Sequence, residues 1–351
     1  MAVTNGTGTN DFIVSTASCG PVAINNFAGD STTQLITGTV KGSMTVKNGA
    51  GNGNLVFQDS TITGDIAVTN GAGNANTTLV TADIDGNVTI VGGDGNNTFS
   101  APSGVTIAKN LSVTNGIGDA SNTLTLSTVD GNVTIKNLDN TAAGVDNLQL
   151  SQSAIGGALR VDSGNGDTSS NIVYMQVAGA LTFTSGTGKD TLYAGILTAG
   201  GDTKINFGGG GSDTTLQAAT FMGGLTLSAD AGVDNLTATN TDVGKAATIS
   251  TGAGADEVSV DASRFNGAFT VQTGTDADTV WIAALGSGLN SFFYGAVAIQ
   301  AGDGNDTLNI GIAGSGVAAC FAKVVIDGGP GADSLIYPGN IFLVAPVISN
   351  F

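Results

Sequence analysis

The sequence predicts an all-β chain wound as a single parallel β-helix, or β-solenoid, of about fifteen 22-residue coils spanning 1–351. Three observations predict it. Apolar residues recur every 22 positions or close to it, at Ile24, Val46, Val68, Ile90, Val113, Ile135, Val161, Phe183, Ile205, Leu227, Ile249, Val271, Ile299 and Ile326. All fourteen are apolar, where the chain's 41% hydrophobic content would make about six so. A fixed period of this size marks one supersecondary unit stacked many times. The chain also holds 55 Gly, with Val, Ile and Thr between them, as strands joined by tight corners require. Finally, Glu257 is the single Glu, and Lys plus Arg number only ten, so helix-forming segments are missing.

Each coil reads in four parts. The first strand alternates, as in Val133-Thr134-Ile135, with one buried and one wet face. A glycine corner follows, as in Asn48-Gly49-Ala50-Gly51, Asn70-Gly71-Ala72-Gly73 and Asn115-Gly116-Ile117-Gly118, where Gly and Asn are expected to supply positive φ. A second strand comes next, as in Asn122-Thr123-Leu124-Thr125-Leu126, with Leu124 and Leu126 inward. The coil closes on an apolar corner: Ile62, Ile84, Ile107, Val129, Ile155, Val177, Phe221, Val243, Phe265 and Phe321. No coil can bury its apolar residues alone, so like stacks on like in parallel register. General handedness of parallel connections predicts a right-handed path. Three coils are longer, at 138–145, 283–293 and 311–320. The last two carry Gly286-Ser287-Gly288 and Gly314-Ser315-Gly316 and lie beside Trp281, Phe292, Phe293 and Tyr294, so a shared protrusion is expected there.

The net charge of −18 excludes nucleic acid and anionic membrane surfaces as partners, since both need a basic footprint. No apolar run is long enough to span a bilayer. Met1-Ala2-Val3-Thr4-Asn5 has neither the basic nor the apolar region of a signal peptide, which leaves a removed leader, another export route or an internal location open. Cys19 and Cys320 fall in the first and one of the last coils, about 60 Å apart in a straight stack at ~4.8 Å per coil, too far for a disulfide within the chain.

One position could carry chemistry, two residues before the first apolar residue of the second strand. It reads Asn10, Asn97, Asn122 and Asn171 early in the chain. From the middle it becomes Asp146, Asp190, Asp234, Asp256, Asp278, Asp306 and Asp333, with Thr214 interrupting. Stacked amides can bond along the solenoid axis. Stacked carboxylates repel by about 1 kcal/mol per pair in water and several times that near a protein surface, so they call for a cation or raised pKa values. Hard oxygens on a glycine corner suit calcium.

Gly302-Asp303-Gly304-Asn305-Asp306-Thr307-Leu308, Gly328-Gly329-Pro330-Gly331-Ala332-Asp333, Gly186-Thr187-Gly188-Lys189-Asp190 and Gly252-Ala253-Gly254-Ala255-Asp256 resemble the repeats-in-toxin nonapeptide. In that family turn carbonyls and the Asp bind Ca²⁺ between coils of a parallel β-roll. The resemblance implies Asp190, Asp256, Asp306 and Asp333 as ligands, with Asp303 and Asp276 as additions; the column itself adds Asp234 and Asp278. The period here is 22 rather than nine, with one glycine corner per coil, and the likeness covers only corners of the C-terminal half. The whole chain is also similar in composition to Gly/Asn/Thr-rich β-solenoid surface proteins of bacteria.

Three function classes follow. An enzyme lacks means here: there is no His, Arg160 and Arg264 are coils apart, and no Ser–His, Cys–His or paired-Glu arrangement exists, so no enzyme is expected. An ice-binding module would use the outward Thr45, Thr89, Ser112, Thr134, Thr182, Thr226, Thr248 and Thr270, but Arg160 and Lys204 interrupt that row, and a polysaccharide-binding module stands beside it as an alternative. A structural protein fits best. The chain starts and stops in the same strand column, and the segment 341–351 is uncharged and strongly apolar. Open solenoid edges pair with something. The expectation is an extracellular or cell-surface scaffold that self-associates through its solenoid ends into a filament or layer, stiffened by calcium, with an adhesin stalk as alternative and a surface polysaccharide as a further partner. The competing reading of 341–351 is a plug folded over the end, favoured by Pro338 and Pro346.

Overall fold

A computed structural model describes residues 1–138, 145–284, 288–311, 317–338 and 340–351. Three parallel sheets form a β-solenoid of about fifteen turns, and the described residues contain no helix. The expected repeat unit is present: Met44–Lys47, Gly53–Gln58 and Thr61–Ile62 make one coil, and Ile66–Thr69, Ala75–Val80 and Asp83–Ile84 the next. They pair in register, Val46 on Val68, Leu55 on Thr77 and Ile62 on Ile84. The third sheet was not expected. The apolar corner is a strand of only two or three residues in every coil, too short to show alternation in a sequence.

The chain divides into two compact units, Met1–Gly179 and Ala180–Phe351. In each, the fourteen-member apolar column points inward and none of its residues is more than 4% exposed. In the first unit Phe57, Phe99 and Leu124 fill the core from the second sheet. In the second unit Phe265 stacks on Phe293, with ring centres 5.3 Å apart, and Phe269 packs 5.0 Å from Phe293. Phe293 therefore takes the corner place expected for the coil after Phe265. One coil on, Cys320 is the inward residue, paired with Phe293 and Phe342, and Phe321 is turned out. Tyr294 is turned out as well, stacked on Phe321 and capped by the Arg264 guanidinium 5.6 Å from its ring centre. Residues 139–144, Gly286-Ser287 and Gly314-Ser315-Gly316 lie outside the described residues, and the expected protrusion with them. Both cysteines are free thiols, and burial pushes Cys320 up to about 11.

The two corners obey different rules. In the first unit the glycines of Asn-Gly-x-Gly do not adopt positive φ, contrary to expectation. They are required because the coils touch: a Cβ on Gly49 would stand 1.3 Å from the Phe27 carbonyl oxygen, and one on Gly71 2.0 Å from that of Gly49. In the second unit the corner does turn through positive φ, at Gly252, Gly274, Gly302 and Gly329. The left-handed residue of the opposite corner is rarely glycine, and Leu126, expected to point inward, is one of these residues and is exposed. Between second- and third-sheet strands the chain turns through Thr16, Thr37, Asp59, Thr81, Gly104, Leu126, Gln152 and Tyr174, then Ile196, Ala218, Asn240, Ala262, Ala283 and Gly311, all with φ between 48° and 62°. Twelve of these fourteen carry a Cβ in a region that disfavours it by about 1–2 kcal/mol each.

Segment 341–351 adds a coil. Ile341–Phe342 pairs with Ala319 and Cys320, and Val347–Ser349 pairs with Val325 to Asp327. It continues the ladders and does not fold across them as a plug.

Candidate functional site: a polar ladder in the glycine corner

Two positions flank the glycine corner in each coil and face its interior. One ends the first-sheet strand, the other begins the second-sheet strand. In the first unit the leading position carries Asn5, Asn26, Asn48, Asn70, Gly92, Asn115, Asn137 and Ser163, and the trailing one Asn10, Ser31, Gly53, Ala75, Asn97, Ala120, Asp146 and Thr168. The two sides exchange volume. Where the leading residue is Asn the trailing one is mostly small, and where the leading residue is Gly92 the trailing one is Asn97.

These amides form ladders. Asn5 Nδ2 donates to Asn26 Oδ1 (2.6 Å), Asn26 to Asn48 (2.8 Å) and Asn48 to Asn70 (2.7 Å). Asn115 Nδ2 donates to Asn137 (2.7 Å). A primary amide suits this because it carries a donor and an acceptor on one planar group, so each coil satisfies the next. At the trailing position, Asn97 turns its Nδ2 onto the carbonyls of Gly93 (2.9 Å) and Gly95 (2.7 Å).

In the second unit the pattern inverts. The leading position becomes Ala229, Thr251, Thr273, Ala301 and Gly328, and the trailing one Asp234, Asp256, Asp278, Asp306 and Asp333. Each carboxylate reaches back one coil. The backbone N–H of Asp234 donates to Asp256 Oδ1 (2.9 Å), that of Asp256 to Asp278 (2.8 Å), Asp278 to Asp306 (2.9 Å) and Asp306 to Asp333 (2.8 Å). Asp234 to Asp306 are at most 2% exposed. The second oxygen, Oδ2, of all five is buried without a hydrogen-bond partner.

Asp146 in the first unit shows what that oxygen needs. Its Oδ1 accepts the Ala120 N–H (2.7 Å) and its Oδ2 accepts Asn137 Nδ2 (3.1 Å). In the second unit the leading Ser185 gives Asp190 such a donor, whereas from Asp234 onward the Oδ2 atoms have none. The hydroxyls of Thr251 and Thr273 lie close enough to Asp256 and Asp278 to offset part of the burial cost, but their protons sit on the carbonyls of Thr273 (3.0 Å) and Ala301 (2.6 Å), and burial outweighs them. The described ion pairs, Lys136–Asp162, Lys189–Asp213 and Lys245–Asp202, do not reach the column. Burial accordingly pushes the carboxyls up, Asp234 to about 6 and Asp278 to about 7, with the negative neighbours Asp256 and Asp306 adding to the rise at Asp278. Asp256 and Asp306 are raised for the same reason.

Of the sequence-predicted ligands, the structure brings Asp234, Asp256, Asp278, Asp306 and Asp333 into one column. Asp190 heads the same column with Ser212 between it and Asp234, and its Oδ2 accepts the Ser185 hydroxyl at 2.5 Å. Asp303 and Asp276 are exposed and off the column. Three residues assigned to the column stand elsewhere. Asn122 pairs with Phe99 and Leu148 and points into the core, Thr214 pairs with Leu192 and Leu236, and Asn171 pairs with Gln149 on the outer face. Ser212 holds the place given to Thr214.

The donor set fits a hard cation in part. It supplies one unpartnered, buried carboxylate oxygen per coil, the chemistry calcium takes. Among the described residues, however, no three acidic, His or Cys side chains converge as a ready metal-holding group. Fold and site together define a parallel β-solenoid with an internal amide ladder in one unit and a carboxyl ladder in the other. No protein-family model matches the chain, and no curated protein or solved structure matches it either.

Proposed function

We propose that the protein is an extracellular structural scaffold whose copies stack, the open edge of the first coil of one against the open edge of the last coil of another, into a filament or layer. The observation that carries this reading is that the inward columns stay half-exposed at both outermost coils. They are Val3, Phe12 and Cys19 on the first, and Leu335, Phe342 and Ile348 on the last. Around the last coil Ile341, Leu343, Val344, Val347 and Phe351 are exposed. The two edges also match in kind. Ile348 continues the column of Ile326 and Val3 that of Ile24, so Val3 on Ile348 would prolong the apolar column, and Asn5 beside Asn350 would prolong the amide ladder. Such a contact is heterologous and need not close on itself.

Calcium is part of the proposal for the second unit. The Oδ2 atoms of Asp234, Asp256, Asp278, Asp306 and Asp333 would hold it, and it would supply the positive charge that the buried column lacks. Sedimentation and electron microscopy of the purified chain, with calcium and with chelator, test both parts. Stacks are expected for the wild type and monomers for Ile348→Asp. A wild type that sediments as a monomer at all concentrations refutes stacking, and stability indifferent to chelation refutes calcium.

A further inference from the structure

The corner between second and third sheets carries a feature that the scaffold reading does not use. In the first unit it opens into a surface groove of about 410 Å³. One wall is the left-handed ridge of Leu126, Gln152 and Tyr174, the other the outward residues Thr128 and Gln176, and the floor holds the buried Ser127 and Ser153. We propose that this groove binds a neutral polysaccharide chain, with the Tyr174 ring against a sugar's C–H face and the Gln152 and Gln176 carboxamides bonding its hydroxyls.

Four observations carry it. First, the ridge residues have φ of 49°, 51° and 54°, where short polar residues and Gly are favoured. Earlier coils carry small or short side chains there, Thr16, Thr37, Asp59, Thr81 and Gly104. From Leu126 on, Gln152, Tyr174 and then Ile196 instead place large side chains there and leave them in water, Leu126 at 54%, Tyr174 at 57% and Ile196 at 50% exposure, so core packing does not account for them. Second, the polar groups are uncommitted: the two carboxamides and the Tyr174 hydroxyl make no side-chain hydrogen bond among the described residues. Third, no charged side chain lines the groove, and the protein's charge of −18 repels anionic polymers. Fourth, the backbone is spent. The N–H groups of Leu126, Thr128, Gln152, Ala154 and Gln176 all donate to carbonyls of neighbouring coils, so an extended peptide finds no strand edge to pair with. An aromatic face with amides and no charge is the recognition set of a neutral, hydroxyl-rich chain.

Affinity electrophoresis in native gels cast with glucomannan, hydroxyethyl cellulose or dextran tests this, with polygalacturonate as the anionic comparison. The wild type is expected to be retarded in at least one neutral gel and not by polygalacturonate. Tyr174→Gly, which suits the turn, and Gln176→Ala, on the exposed face, should each weaken retardation at least tenfold. Tyr193→Ala, whose native hydroxyl bonds Gln217 away from the groove, should not. The monomeric Ile348→Asp variant should be retarded like the wild type, which separates this site from assembly. No retardation in any neutral gel, stronger retardation by polygalacturonate, or retardation that survives both groove substitutions in folded protein overturns the proposal.

Discussion

Replacing Asp278 by Asn should make the second unit more stable at pH 8 and remove part of its pH dependence. Asp278 is 1% exposed, its Oδ1 accepts the Asp256 N–H at 2.8 Å, and its Oδ2 has no partner. Its carboxyl is pushed up from 3.8 to about 7. A raised acid pKa means that the folded coil holds its proton more tightly than the unfolded chain does. The folded state then binds more protons between pH ~4 and ~7, and stability falls as pH rises through that window. The stabilisation is complete below pH ~4 and gone above ~7. A shift of about three units at ~1.4 kcal/mol each sets an upper bound of about 4 kcal/mol, and a corner that loosens to admit water would show roughly half. Asparagine keeps the Oδ1 acceptor and replaces the orphan oxygen with a donor, which Asn97 at the equivalent position places on two corner carbonyls. Long repeat arrays need not unfold in one step, so the readout is hydrogen-exchange protection of the peptide around Asp256, in chelator, between pH 5 and 8. Wild-type protection should fall across that range, while Asp278→Asn stays flatter and is higher at pH 8 by about 2–4 kcal/mol. Added calcium should restore the wild type at pH 8 and restore the variant less. A variant less protected than wild type at pH 8, with an unchanged pH slope, would refute the reasoning, because the carboxyl would then be ionised and satisfied.

Two further substitutions separate the two corners. Gly49→Ala should destabilise the first unit by about 3 kcal/mol or more, since its Cβ meets the backbone of the preceding coil and neither can yield alone; thermal melts of the full chain would show it. Ala218→Gly in the opposite corner, at φ 52°, should have the reverse sign and stabilise by up to about 1 kcal/mol, as left-handed strain is relieved against added chain entropy. A loss of stability there, measured by urea unfolding, would mean that the Ala218 methyl packs more than the strain costs.

The 22-residue period exposed the fold because the first-sheet strands are long enough to alternate and their inward column is apolar in every coil. The third sheet stayed hidden because two residues cannot alternate, and the insertion before Cys320 shifted that corner by one, which put Phe321 where Cys320 sits. The carboxyl column was legible where its landmark held. Counting back two from the first apolar residue works where the inward site is Leu148, Leu236, Val258, Val280 or Leu308. It fails where that site is itself polar, as at Asn122, whose Oδ1 instead accepts Asn115 Nδ2 at 3.2 Å, and at Thr214. The left-handed corner gave no signal because its residues are set by the backbone path, and Thr, Leu, Gln, Tyr and Ala share no property that a sequence displays.

The exchange between the two flanking positions changes what each unit depends on. An amide ladder closes its own account of donors and acceptors, coil by coil, at any pH at which the chain folds. A carboxyl ladder does not: with Ala229, Thr251, Thr273, Ala301 and Gly328 opposite it, each Asp has one oxygen on a backbone N–H and one on nothing. Burial without a donor favours the protonated form of Asp234, Asp256, Asp278 and Asp306, so the second unit's cohesion is expected to vary with pH, and under the proposal above with calcium, while that of the first unit's amide ladder is not. Asp146, whose second oxygen meets Asn137, is the internal comparison: it has the same residue, the same position and a donor in place, and although burial raises its carboxyl too, the Ala120 N–H and Asn137 amide pull it part of the way back down. If the second unit's corner were ordinary packing, Asp146 and Asp278 would respond alike to pH. The geometry requires Asp278 to respond more strongly, and that difference is what makes the carboxyl ladder a conditional element of the fold.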